Sequence, residues 1–348
     1  MRDGQRPPDP SASVAPHGAG SSPAPSIVVG TRDRGASVAS TIQSIVESDL
    51  EDFEVVVVDQ SRDHTTADAL RPFRNDSRLQ YHHSETQGLG ASKNVGLRLA
   101  SSPYVLYTDD DVVVPATWTR VMRDTLHQSP HVGILFSNVA ATPFDADKGF
   151  VPAYAGSTNK IIRRPSLKWR SRGIGASMAV RAEAAATIGG FDAATGSGSR
   201  FRSGEEIDFA IRCLLAGWWV QDTVDVEVLH AGFRTWHEGR DLTRRDWFGI
   251  GAVYAKPLKA GHLSLIPSAL VEVVGHGLLE PFGQLAKGRR PRGFRRLLYF
   301  GQGLVDGIRT PVDARTMRYL TETGESDPPL ADAEAARRRP PGEIGPVG

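Results

Sequence analysis

Two β-branched runs, Ser26-Ile27-Val28-Val29-Gly30 and Phe53-Glu54-Val55-Val56-Val57-Val58-Asp59, are separated by about twenty residues whose apolar positions (Val38, Ile42, Ile45, Val46) recur at helical spacing. Runs so apolar, with no polar alternation, suit strands covered on both faces, and a helix between them makes a βαβ unit. The pattern continues. Leu79-Gln80-Tyr81 reads as a weaker strand, Gly88 to Leu99 as a helix, Tyr104 to Tyr107 as a strand, Trp118 to Leu126 as a helix and His131 to Phe136 as a strand. Strands alternating with helices predict an α/β fold: a mostly parallel sheet with helices on both faces, binding ligands beyond the carboxyl ends of the strands.

Charge is concentrated at one such end. Tyr107-Thr108-Asp109-Asp110-Asp111-Val112 follows the apolar run Pro103 to Leu106, so three carboxylates meet where a buried strand stops. Adjacent carboxylates raise one another's pKa unless a cation neutralises them, and Asp109 and Asp111, two apart, can converge on one hard divalent ion. The expected payload is a metal-bound phosphate compound.

Composition fits an ordinary globular enzyme, with 348 residues of which 40% are hydrophobic and 23% charged. A formal net charge of +1 argues against nucleic acid as a partner. The one cysteine, Cys213, excludes an internal disulfide framework, fits a reducing compartment, and sits in an apolar helical pattern that reads as packing. Residues 1–25, rich in Pro, Ser, Ala and Gly, are expected to be a disordered tail without the apolar core of a signal peptide, and 311–348 a second, largely disordered tail. Gly88-Leu89-Gly90 and Gly173-Ile174-Gly175 have G-x-G spacing but lack the third glycine and the strand-to-helix setting of a dinucleotide site, and no Walker A, H-E-x-x-H or cysteine zinc pattern occurs.

The order of the motifs carries a resemblance. Ile27-Val28-Val29-Gly30-Thr31-Arg32-Asp33-Arg34, Val57-Val58-Asp59-Gln60-Ser61-Arg62-Asp63, Gly90-Ala91-Ser92-Lys93-Asn94-Val95-Gly96 and Thr108-Asp109-Asp110-Asp111 resemble the nucleotide-binding half of family 2 glycosyltransferases of the GT-A fold. Gly175 to Arg181, Gly189-Gly190-Phe191-Asp192, Gly204 to Arg212 and Val228-Leu229-His230 resemble the second half. The resemblance covers about residues 26 to 235 and implies a nucleotide-diphosphate sugar donor, UDP or dTDP favoured, a Mn²⁺ or Mg²⁺ ion, and transfer to a hydroxyl with inversion. It divides the chain into a catalytic domain, 26–255, with a nucleotide-binding half at 26–138 and an acceptor half at 139–255.

By that resemblance Asp109 and Asp111 hold the ion, His230 adds a third ligand, and Thr31, Asp33, Asp59, Ser61, Lys93, Asn94 and Asp110 contact the donor. Each has a simpler alternative: helix capping for Thr31, a solvated side chain for Lys93, a structural imidazole for His230. The family's loop after the aspartate often carries one more residue than Gln60-Ser61-Arg62-Asp63. Where the family usually reads Glu-Asp, this chain has Glu205-Glu206, with Glu206 in the place of the base that deprotonates the acceptor and Glu205 as the substitute. Acids at a helix start are also stabilised by the helix dipole alone.

The resemblance fades after about Lys256. Apolar positions then repeat at helical spacing through 256–310, interrupted by Lys287, Arg289, Arg290, Arg292, Arg295 and Arg296. Two occupants are open: an anionic membrane surface on the cytoplasmic side, where a lipid-linked or glycan acceptor would be met, or packing against the catalytic domain or a twin subunit. Glu272 and His276 interrupt the longest apolar stretch and argue against a membrane span. The expected activity is metal-dependent glycosyl transfer in cell-surface or exported glycan synthesis; a catalytically silent nucleotide-sugar scaffold and a nucleotidyltransferase are the alternatives.

Overall fold

The β-branched runs lie side by side as strands of one sheet in the computed structural model, which describes residues 22–288 and 293–320. In chain order the first half holds β1 (Ser26–Thr31), α1 (Gly35–Val46), β2 (Glu54–Asp59), α2 (Thr65–Ala69), β3 (Leu79–His83), α3 (Leu89–Leu99), β4 (Tyr104–Asp109), β5 (Val112–Val113), α4 (Trp118–Gln128) and β6 (Val132–Ala141). Next come β7 (Gly149–Phe150), β8 (Lys160–Ile162), β9 (Ser177–Arg181), α5 (Ala182–Ile188), α6 (Glu205–Leu215), β10 (Trp219–His230), β11 (Arg234–Thr235) and α7 (Trp236–Lys259). The helices α8 (Ile266–Leu270), π-helical Val271–Leu279, α9 (Glu280–Ala286) and α10 (Arg295–Arg309) follow.

The main sheet runs β3-β2-β1-β4-β9-β6-β10-β5, with β8 also pairing β10. Both faces are covered. Ile27, Val29, Val55 and Val57 pack into one apolar cluster with α1 and α4, while Val28, Val56 and Val58 pack into the other with α3, α5 and α6. Two-sided burial is why these strands read as unbroken apolar runs. Strands β1, β2, β3 and β4 are mutually parallel, as expected. β9 departs from that pattern by inserting antiparallel between β4 and β6. It is reached through the excursion 142–176 instead of a helical crossover, which is the connection a parallel neighbour would need.

Register sets the site. Thr31 lies opposite Asp59 across β1–β2, and Gly30 opposite Asp109 across β1–β4, so three polar strand ends finish at one rim. The two-residue β5 then turns back to pair Val112 with His230 and Val113 with Leu229 of β10. That pairing delivers His230 to the acidic triplet from more than a hundred residues downstream.

The C-terminal helices fold against α7. α10 crosses it so closely that a Cβ on Gly303 would lie 1.9 Å from the Phe248 carbonyl oxygen, which leaves room for glycine alone. Residues 311–320, placed by the sequence at the start of a tail, pair Val312 with Tyr319 and bury Tyr319 against Phe201 and Ala252. The rest of both expected tails, 1–21 and 321–348, and the basic residues Arg289, Arg290 and Arg292 lie outside the described residues.

Candidate functional site

A cavity of about 480 Å³ opens at the rim, lined by Asp109, Asp110, Asp111, Glu205, Glu206 and His230 among others. Asp109, Asp111 and His230 each offer a ligand atom, all within 4.8 Å of one another. His230 Nδ1 donates to the Pro152 carbonyl oxygen at 2.8 Å and Nε2 lies 3.1 Å from Asp111; these contacts raise the imidazole's pKa against burial, and an ion bound there would take the Nε2 lone pair in place of its proton. Two carboxylates and an imidazole oriented by a carbonyl are a donor set that fits Mn²⁺, and Mg²⁺ less well because of the nitrogen. Charge acts on the three groups differently. Burial pushes Asp109 up to about 6 against the pull of Lys93. Burial also works to raise Asp111, but the hydrogen bond and charge of His230 together with the charges of Arg34 and Arg234 outweigh it and lower this carboxyl.

Asp110 turns away from this cluster. Its carboxylate accepts from Thr31 Oγ1 at 2.7 Å and from Arg34 at 2.9 Å, and the same guanidinium reaches Asp111 at 2.9 Å. Thr31 and Asp110 thus tie β1 to the turn after β4. Arg34 bridges two of the three acids and lines the cavity, a role no spacing signalled although it sits inside the first motif.

Asp59 is wholly buried, with one oxygen accepting from the Ser61 backbone N–H and the other from Tyr81 Oη, both at 2.8 Å. Ser61 Oγ in turn accepts from the Asp33 backbone N–H at 2.7 Å. The polar groups at this strand end therefore fasten one another, and Gln60, bonded to Thr86 and to the Gly88 carbonyl, is the member of the loop that faces the cavity. Asp33 sits at a φ of 56° with its side chain half-exposed, outside the cavity lining.

Lys93 is buried and donates to Glu205 Oε1 at 3.0 Å. Burial works against its charge, but Glu205, Asp109 and Glu206 together outweigh it and raise its pKa. Asn94 clamps the Gly189-Gly190-Phe191 turn, donating to the Phe191 carbonyl at 2.9 Å and accepting from its N–H at 2.8 Å. So the Lys-Asn pair joins α3 to the helix of the acids and to the turn before it.

α6 begins at Gly204, whose φ of 89° turns the chain sharply into the helix in a conformation that side chains disfavour. Glu205 and Glu206 fall in its first turn. Lys93, together with hydrogen bonds from the backbone and Glu206, outweighs burial to hold Glu205 below the usual carboxylate range, whereas burial and the neighbouring Glu205 push Glu206 up to about 8. Two adjacent acids thus have separated affinities, the arrangement in which one stays ionised and the other exchanges a proton near neutrality. Asp246 of α7, pushed up to about 6 by burial and bonded to Ser203, is a third acid on this wall, hidden in sequence by an unremarkable amphipathic helix.

The wall is held from behind by buried charges. Lys256 of α7 contacts both Asp192 and Asp208, Arg212 donates to Asp208 at 2.8 Å and to the Ile188 carbonyl at 2.7 Å, and the Tyr319 N–H donates to Asp192 at 2.9 Å. The loop Gly196-Ser197-Gly198-Ser199 rests on α3 through the Leu89 N–H and the Ser197 carbonyl, 2.8 Å apart, and Ser197 and Gly198 cover one side of the cavity.

Residues 26–189 match the family described as Glycosyl transferase family 2, so the resemblance carried by the motif order holds. The chain is similar to validoxylamine A glucosyltransferase of Streptomyces hygroscopicus subsp. jinggangensis, 35% identical over 92 residues, which are 25% of this chain and 22% of that protein. It is also similar to GalNAc(5)-diNAcBac-PP-undecaprenol beta-1,3-glucosyltransferase of Campylobacter jejuni, 32% identical over 89 residues, 25% of this chain and 29% of the other. The matched segments span less than a third of these two relatives. Among solved structures, a mannosyltransferase from Pyrobaculum calidifontis in complex with GDP-Man and Mn²⁺ superposes with a TM-score of 0.53 at 20% identity, covering 82% of this chain and 86% of that one. The fold is that of the GT-A glycosyltransferases.

Proposed function

We propose that this chain, whose residues 26–189 match glycosyl transferase family 2, moves a sugar with inversion from a nucleotide-diphosphate donor to an acceptor hydroxyl, and depends on a divalent ion to do so. The observation that carries the reading is that one cavity at the strand ends holds both the Asp109–Asp111–His230 cluster and Glu206 with its raised pKa. Bound by those three residues, Mn²⁺ or Mg²⁺ would offset the negative charge growing on the departing diphosphate. Glu206 accepts the proton of the acceptor hydroxyl as its oxygen attacks the anomeric carbon, while the bond to the diphosphate breaks on the opposite face of the sugar. One displacement inverts that carbon. Lys93 keeps Glu205 ionised beside the base, and Arg34 stands where a phosphate could draw it from Asp110 and Asp111. Thr31, Asp33, Asp59, Ser61 and Asn94 act on this reading chiefly by shaping the donor rim.

UDP or dTDP is the favoured nucleotide, and a glycan or lipid-linked sugar the favoured acceptor, consistent with the undecaprenol-linked substrate named for the C. jejuni relative. Leu263–Ala286 is long and apolar enough to cross a membrane by length and composition, yet it carries Glu272 and His276 and packs in part on α10. Leu263, Leu270, Leu279, Phe282, Leu285 and Leu298 remain exposed, a surface suited to peripheral contact with the cytoplasmic face of a membrane.

The test is a thermal-shift panel of UDP-, dTDP- and GDP-sugars, with and without Mn²⁺, on the wild type and on Asp111→Asn. One donor should raise the melting temperature only with Mn²⁺, and the substitution should abolish that shift without lowering the unliganded melting temperature. Undiminished Mn²⁺-dependent binding by Asp111→Asn would move the metal site elsewhere.

A further inference from the structure

A second cavity, of about 1000 Å³, lies between the 165–170 segment, α7 and the C-terminal helices. Four cations line it: Lys160, Arg170, Arg172 and Arg296. Among the described residues only Arg296 has an ion-pair partner, Glu280 at 2.7 Å; the other three have none. Even Arg296 is not satisfied, because its Nε–H is buried without an acceptor. Among the described residues Glu280 is the only carboxylate in the lining, so the concavity holds an excess of positive charge in a chain whose net charge is +1.

Apart from His276, which lies against Glu272 and Glu280, the rest of the lining is apolar and aromatic. Trp169 and Trp247 form two sides, the Arg296 guanidinium lies 5.7 Å from the Trp247 ring centre, and Val271 and Leu279 complete the wall. A bare basic surface would suit any polyanion. This one adds indole and aliphatic faces, which reward a ligand having both an anionic head and an apolar body. Arginine forks match phosphate oxygens in pairs, which favours a phosphoryl group over a carboxylate of similar charge.

The cavity also adjoins the reaction site. Trp169, Arg170 and Arg172 line it, and Ile174, Gly175 and Ala176, a few residues on along the same segment, line the cavity of Glu206. We propose that this second cavity binds a phosphate or diphosphate ester carrying an apolar chain, and that this ester is the anchored end of the acceptor. The acceptor assignment rests on the transfer reaction proposed above; the anion site does not.

Octyl phosphate, inorganic phosphate, octanol and a short single-stranded oligonucleotide, titrated by calorimetry into the full chain, separate the possibilities. Octyl phosphate should bind more tightly than either of its halves, and Arg170→Gln/Arg172→Gln should weaken it about tenfold or more. Trp169→Ala should weaken octyl phosphate and leave inorganic phosphate unchanged. Both variants should keep the Mn²⁺-dependent donor shift, which also reports that they fold, and Lys160→Gln provides an independent loss of charge. Equal binding of octyl phosphate and octanol, indifference to all three cation changes, or tighter binding of the oligonucleotide would overturn the anion site. Octyl phosphate binding without any donor binding would remove the acceptor assignment while leaving the site.

Discussion

Glu206 is where the chemistry of single residues can be tested most directly. A glutamate held at about 8 is mostly protonated at neutral pH and becomes a competent base as pH rises. The rate should therefore fall tenfold per unit as pH drops below about 8 and level off above it, in a kcat/KM profile measured with saturating Mn²⁺. Glu206→Gln should lower turnover by roughly two to four orders of magnitude with donor affinity near that of the wild type, since a base contributes to the transition state and not to ground-state binding. An active Glu206→Gln beside an inactive Glu205→Gln would transfer the role to Glu205. Glu205 itself is better placed as a fixed charge, because Lys93 lies 3.0 Å away and holds its proton off.

Among the elements, α6 depends most on others. Its Asp208 and the preceding Asp192 meet the single ammonium of Lys256, and all three side chains are about 1% exposed. Removing one partner of a buried ion pair leaves uncompensated charge and costs about 3–5 kcal/mol. Lys256→Met should therefore lower unfolding stability by that amount in a urea titration, while Lys259→Met, at a half-buried bond to the Thr310 carbonyl, should cost far less. The elements themselves were legible from sequence: βαβ periodicity placed β1, α1, β2, α3, β4, α4 and β6, because two-sided burial writes a local pattern. The acidic triplet and His230 were legible as types at strand ends. What sequence did not carry was direction. Asp110 turns toward Thr31 and Arg34, Asp59 is closed off by Tyr81, and Lys93 faces Glu205, each decided by a neighbour more than twenty residues away or, for Lys93, on the far half of the chain. The antiparallel insertion of β9 is of the same kind, since its run reads the same in either direction.

At the scale of the whole molecule, the C-terminal helices leave Leu270, Leu279, Phe282, Leu285 and Leu298 exposed, while Arg296 turns to Glu280. On the membrane reading proposed above, Arg289, Arg290, Arg292 and Arg295 would each add about 1 kcal/mol of attraction to an anionic surface at low salt. Sedimentation with anionic vesicles should capture the wild type and release it as salt rises, and Phe282→Ser/Leu285→Ser should lose capture without altering the Mn²⁺-dependent donor shift. Equal capture by neutral and anionic vesicles, or none by either, would leave those side chains to a packing or dimer surface.

The ties from α6 to Lys256 and Tyr319 also bear on the order in which the protein is made. Strands β1, β2 and β3 find their partners within the first 109 residues, whereas β4 finds β1 there but waits for its antiparallel neighbour β9 at residues 177–181. Asp192 and Asp208 lack their ammonium until residue 256 has been added, and Asp192 lacks its last donor until residue 319. Synthesis thus lays down Asp109 and Asp111 first, brings His230 to them only once β10 has been made, and fastens the wall of α6 last.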